Sequence, residues 1–149
     1  MARIEQDSVM IRNLPLAEGE TVVAEFAADK AAYWKSHLIL AVMLGAAAGL
    51  FLMWQGNPYP VVGPFGAAIA IAARAAYLAS EALSDRWRLT EKRLLGPAAR
   101  AIPLAQIKAA RPFLGAVQIV TLSGDKHLMK YMADPAAAAA RLLTAAGRA

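Results

Sequence analysis

Two long apolar stretches, separated by a short uncharged connector, constrain this chain more than any other feature. The first, Leu38 to Trp54, runs 17 residues without an ionisable side chain. As a helix rising ~1.5 Å per residue it spans most of a hydrocarbon layer of roughly 30 Å. The connector, Gln55-Gly-Asn-Pro-Tyr-Pro60, carries no charge, and the second stretch continues to Ser80 with one interruption, Arg74. The pattern predicts a transmembrane helical hairpin over residues 35–80, with spans at about 37–54 and 59–80. Tyr33 and Trp34 at one border, and Trp54 and Tyr59 at the other, have the spacing of interfacial aromatic belts. A cleaved secretory leader fits poorly, because a long mixed segment precedes the first stretch and a second apolar run follows it. The competing assignment is a buried hairpin of a soluble protein.

Composition agrees. The chain is 149 residues long, 58% hydrophobic and 18% charged, with a mean hydropathy of +0.40; ordinary soluble domains are ~45–50% apolar and ~25% charged. With roughly 45 residues given to the hairpin, the remainder suffices for one small water-exposed core. There is no cysteine, which excludes disulfides and thiolate metal sites.

Orientation follows from lysine and arginine. Lys30 and Lys35 precede the first span and Arg86, Arg88, Lys92 and Arg93 follow the second, so the positive-inside rule predicts both termini in the cytoplasm. Arg74 lies near the cytoplasmic end of its span, from which its side chain reaches the phosphates by snorkelling. A proton or ion path would need further intramembrane acids or histidines, and the spans carry none beyond His37 at the edge of the first. Gly45 and Gly49 form a G-x-x-x-G pair, and Gly63, Gly66, Ala67 and Ala70 give the second span small-residue surfaces. Both allow close helix approach, either within the hairpin or against another protein's span.

Charge divides along the chain. Through Lys35, six acids (Glu5, Asp7, Glu18, Glu20, Glu25, Asp29) outnumber four bases (Arg3, Arg12, Lys30, Lys35); after Ser80, eleven bases face five acids. A basic unit near an anionic leaflet gains ~1 kcal/mol for each cation reaching the surface. Without an accompanying nucleic-acid motif, charge alone makes no case for a nucleic-acid partner. The plain alternative is a solvated face.

After the hairpin the apolar period changes to two. Arg86–Thr90 and Arg93–Leu95 read as a β-hairpin turning at Glu91-Lys92, Ile102–Leu104 as a short strand, and Ala105–Ala110 as a helical turn or irregular. Val117–Leu122 and Lys126–Met132 flank the turn signal Ser123-Gly-Asp125. Asp134 as N-cap, Pro135 in the first turn, the run Ala136–Ala146 and Gly147 as a stop define a closing helix. Glu20–Phe26 is available as an additional strand that brings the acidic segment against the basic one.

The run Arg86-Trp-Arg-Leu-Thr-Glu-Lys-Arg-Leu-Leu95, then Ala101-Ile-Pro-Leu-Ala-Gln-Ile-Lys108, then Gly124 before Met132-Ala-Asp-Pro135, resembles the bacterial pleckstrin-homology (PH) domain family. Leu16-Ala-Glu-Gly-Glu20 is similar to the Leu-x-x-Gly-Glu opening of that family, whose members commonly carry the domain after a two-helix membrane hairpin. The chain departs from the family in the short spacings Leu95 to Ile102 and Pro112 to Val117, which leave little length for a seven-stranded barrel.

The expected fold class is thus an α+β membrane protein: a transmembrane hairpin plus a small PH-like antiparallel β domain over residues 81–149, closed by a C-terminal helix, with an acidic cytoplasmic segment at 1–34. The resemblance implies a scaffold in the bacterial inner (cytoplasmic) membrane and no catalyst. The expected role is an accessory or structural subunit docking on a larger integral membrane complex; the alternative is an anionic-lipid-sensing or self-oligomerising scaffold. Candidate helix-packing residues are Gly45, Gly49, Gly63, Gly66 and Ala70. Candidate head-group contacts are Arg74, Arg86, Arg88, Lys92 and Arg93. No catalytic, cofactor or metal residues are expected: His37 and His127 lack ligand-spaced company, and no phosphate loop, dinucleotide fingerprint or hydrolase motif occurs.

Overall fold

The computed structural model of the chain describes residues 14–148. Arg3, Glu5, Asp7 and Arg12, counted above in the acidic segment, lie outside them. The chain forms two compact units, a helical one at Lys30–Leu83 and a β-rich one built from the residues up to Asp29 together with those from Ser84.

The helical unit is a hairpin of α1 (Lys30–Trp54) and α2 (Val62–Ala82). α1 starts seven residues ahead of the expected span, because Lys30-Ala31-Ala32 are good helix formers and nothing breaks the run. α2 starts later than expected, since Pro58 and Pro60 stay in the connector. α1 ends on Gly56 at φ 75, where the amides of Gly56 and Asn57 donate to the carbonyls of Met53 (3.0 Å) and Leu52 (2.9 Å). A left-handed glycine closing both carbonyls is a standard helix stop. Asn57 Oδ1 then accepts from the Tyr59 amide at 2.8 Å and shapes the turn.

Small residues set the seam between α1 and α2. A Cβ on Gly63 would lie 2.8 Å from the backbone at Ala48 and Gly49, and one on Gly45 would lie 3.3 Å from Pro64 Cα. Only glycine permits so close an approach at position 63. Tyr33 does not belong to the aromatic belt predicted for it. It is fully buried, and its hydroxyl donates to the Ala75 carbonyl at 2.5 Å, which removes the polar end of the ring from any interface. Trp34, Trp54 and Tyr59 are exposed at the helix ends.

Among the described residues the β-rich unit has seven strands and one long helix: β1 (Val22–Ala27), β2 (Arg86–Thr90), β3 (Arg93–Gly96), β4 (Arg100–Pro103), β5 (Ile107–Phe113), β6 (Ala116–Thr121), β7 (Lys126–Met129) and α3 (Pro135–Ala145). They form antiparallel sheets ordered β1-β2-β3-β4 and β5-β6-β7, joined through a turn of 3₁₀ helix at Leu104–Gln106. Both sheets and α3 share one core, including Trp87, Leu89, Leu94, Ile107, Ile119 and Leu142. Alternation in β2 sends Trp87 and Leu89 inward while Arg86 and Arg88 stay partly exposed. Asp134 caps α3, its Oδ1 accepting from the Ala137 amide at 3.0 Å.

Three expectations change. The strand expected at Ile102–Leu104 sits two residues earlier at its start and ends at Pro103. The stretch Ala105–Ala110, expected to be a helical turn or irregular, has a 3₁₀ turn at its start and then enters β5 at Ile107; the register of β5 with β6 slips between Ile107 and Ala109, and Pro112 is tolerated there because β5 is an edge strand. The strand expected to reach Met132 stops at Met129, and Tyr131 turns away at φ 58. The short spacings accommodate all seven strands because the turns are tight: Ala98 and Ala99 adopt φ 58 and 56, and Leu114 and Gly115 adopt φ 49 and 79. The second pair joins Phe113 directly to its partner Ala116 in a two-residue hairpin.

Candidate functional site

Two of the N-terminal acids, Glu20 and Glu25, meet the basic strands on the first sheet. A turn at Ala17–Glu20, closed by the Glu20 amide donating to the Ala17 carbonyl at 3.0 Å, requires Gly19 at φ 76. It delivers Glu20 beside the β2–β3 hairpin. The Glu20 side chain is 1% exposed, and Oε2 lies 2.9 Å from Arg93 Nε. Arg93 Nη2 donates to Oε1 at 3.0 Å, completing a bidentate pair. The Ala17 amide also donates to Oε1 at 3.2 Å, and the Thr90 hydroxyl approaches Oε2 at 3.2 Å.

Thr90 organises the other side of this cluster. Its hydroxyl oxygen accepts from the amides of Lys92 (3.2 Å) and Arg93 (3.0 Å), shaping the turn that presents Arg93. Next to it, Glu91 accepts from the amide and hydroxyl of Thr21, each at 3.0 Å to Oε2. Hydrogen bonds from Arg93 chiefly hold the Glu20 carboxyl well below its usual 4.5, at about 2, with Ala17 and Thr90 helping against desolvation. The Glu91 carboxyl is likewise lowered by backbone amides and by Thr21. Glu20 in turn raises Arg93.

This arrangement redistributes the cations proposed as head-group contacts. Arg93 is held by Glu20, and Arg86 lies 3.5 Å from Glu25 in a half-exposed pair. Arg88 Nη2 donates to the Leu14 carbonyl. Lys92 is exposed at the hairpin turn, and Arg74 is exposed on α2, about two turns from its end. The four on the β-rich unit are therefore divided among different partners rather than gathered into one free cationic cluster. Of the candidate packing residues, Gly45, Gly49 and Gly63 meet in the α1–α2 seam, whereas Gly66 and Ala70 lie on the exposed side of α2.

Among the described residues there is no group of three His, Asp or Glu side chains placed to share a metal ion. His37 is buried, its Nδ1 2.8 Å from the Tyr33 carbonyl. A cleft of about 280 Å³ between β1 and α3 is lined by Glu25, Met132, Asp134 and Arg141. Two of its polar groups serve the fold, Asp134 capping α3 and Arg141 Nη2 donating to the Val23 carbonyl at 3.0 Å.

The Glu20–Arg93 pair was not foreseeable from either segment alone, because 73 residues separate its partners. The only signals were the opposed charges of the two segments and the Gly19-Glu20 turn. Comparison adds no relative: no protein-family model, curated protein or solved structure matches the chain.

Proposed function

We propose that this protein is a non-enzymatic integral membrane protein, an accessory or structural subunit whose helical hairpin docks on a larger membrane complex and whose PH-like unit makes protein contacts in the cytoplasm. One observation carries the membrane assignment. α1 and α2 are both long and apolar enough to cross a bilayer, yet only 11% of the most apolar 18-residue stretch of α1, and 6% of that of α2, is buried. The core helix of a soluble protein would have its apolar surface covered; here Leu38, Val42, Met43, Phe65 and Ile69 are all exposed. The PH-like reading is supported by seven strands in sheets of four and three, followed by a single capped helix.

Docking within the membrane is supported by Gly66 and Ala70, small residues left on the outer side of α2 once the seam is formed. Purification of the tagged protein in a gentle detergent tests the role. A stoichiometric larger integral complex is the expected result; a homo-oligomer alone selects the self-assembling scaffold instead. Orientation is tested by single cysteines in this cysteine-free chain. Gln55→Cys in the connector is expected to react with an impermeant thiol reagent from outside intact cells and Ala105→Cys to be protected; reversed labelling contradicts cytoplasmic termini.

A further inference from the structure

The outward face of the β5-β6-β7 sheet is cationic and apolar at once. Cross-strand partners share a face, and the register aligns Arg111 with Gln118 and Leu128, and Val120 with Lys126. Phe113 follows Arg111 on the same side of β5, and Lys130 stands exposed just beyond β7. Among the described residues none of Arg111, Lys126 and Lys130 is in an ion pair. No acid occupies the face, and Asp125 in the adjoining turn accepts from the Ser123 hydroxyl at 3.1 Å.

At one end of this face the β5–β6 turn projects Phe113, 49% exposed, and Leu114, 89% exposed. Such a turn normally carries Asn, Asp or Gly at its positive-φ positions. Leu114 occupies one at φ 49, a conformation costly for a bulky side chain. So exposed, it gains nothing from packing in return. Unrewarded strain at an exposed site is a mark of a binding role.

We infer that this face docks the β-rich unit on an anionic lipid surface, with Phe113 and Leu114 entering the acyl boundary and Arg111, Lys126 and Lys130 meeting head-group phosphates. Charge complementarity selects a polyanion. The protruding apolar pair selects a lipid surface over nucleic acid or an acidic protein, neither of which offers a hydrocarbon layer to enter. The inference rests on the membrane reading above, since the chain enters and leaves the helical hairpin from this unit at Asp29–Lys30 and Leu83–Ser84, which keeps a bilayer at high effective concentration. It replaces the scattered Arg86, Arg88, Lys92 and Arg93 with a set of cations that have no internal partner among the described residues.

The test uses the full chain with a single Leu114→Cys substitution carrying an environment-sensitive fluorophore. The protein is reconstituted in vesicles of phosphatidylcholine alone or with added phosphatidylglycerol, and Ala105→Cys serves as the labelled control. A blue shift at position 114 only in the anionic vesicles, absent at position 105 and lost in high salt, is expected. Each cation is worth about fivefold in the docked-to-undocked ratio. A triple Arg111→Glu, Lys126→Glu, Lys130→Glu background is therefore expected to lower that ratio by at least about 100-fold. No shift in anionic vesicles, or an equal shift in neutral ones, overturns the inference, as does a shift in neutral vesicles that appears only on adding RNA or polyglutamate. Flotation of the same samples reports the hairpin separately: a chain that floats without a tip shift keeps its anchor and loses this face, and one that remains soluble while its tip shifts on added anionic vesicles does the reverse.

Discussion

Glu20 gives the β-rich unit a contact that depends on pH. Its carboxyl is lowered from 4.5 to about 2 when folded, so the stabilisation it supplies is complete above pH 4.5 and is lost as the pH falls toward 2. Glu91, lowered in the same direction, adds to the loss. The protection of amides across β1 and β3, taken relative to their intrinsic exchange rates at each pH, is expected to fall on acidification through this window, and Glu20→Gln to flatten that dependence. If the wild-type profile stays flat between pH 5 and 2.5, the pair does not hold the strand. At neutral pH, Arg93→Ala is expected to loosen β1 more than Arg86→Ala. The first leaves a buried carboxylate without its bidentate partner, while the second removes one member of a half-exposed pair.

Close packing governs the elements. A Cβ at Gly96 would fall 2.5 Å from Cζ3 of Trp87, a ring 2% exposed in the core with little room to retreat. Gly96→Ala is expected to destabilise the unit by about 1–3 kcal/mol, read as a lowered urea midpoint at unchanged m-value; a neutral result would show that the ring relaxes freely. Asp134→Ala removes the α3 cap and is expected to cost about 1 kcal/mol in the same assay. In the hairpin, Gly63→Ile collides with α1 backbone, whereas a Cβ at Gly66 meets nothing within 4 Å. Deuterium uptake around 45–49 in micelles is expected to rise for Gly63→Ile and to match wild type for Gly66→Ile; equal uptake in both variants would contradict the seam. The legible elements were those with local signals: the uncharged run of α1, alternation in β2, the Ser123-Gly124-Asp125 turn and the Asp134-Pro135 start of α3. β5 was hidden because Lys108-Ala-Ala-Arg-Pro112 has weak strand propensity and includes a register slip. The pairing of the candidate head-group cations was hidden for a different reason: which of them acquire partners is decided by tertiary contacts, as Arg93 with Glu20 across 73 residues demonstrates.

For the whole molecule, the two units solve different solvent problems. The β-rich unit buries Trp87, Leu89, Leu94, Ile107, Ile119 and Leu142 in its own core, while the helical unit leaves Phe51, Met53, Phe65 and Ile69 exposed. Left in water, an apolar exterior costs ~25 cal/mol for each Å², and the proposed anchoring would cover it with acyl chains. Membrane anchoring is tested most directly by alkaline carbonate extraction of membranes containing the full chain, followed by density flotation. The protein is expected to rise with the lipid after carbonate treatment, at every salt concentration, and to leave the membrane only in detergent. Recovery of the intact chain as a lipid-free monomer in detergent-free buffer would contradict it.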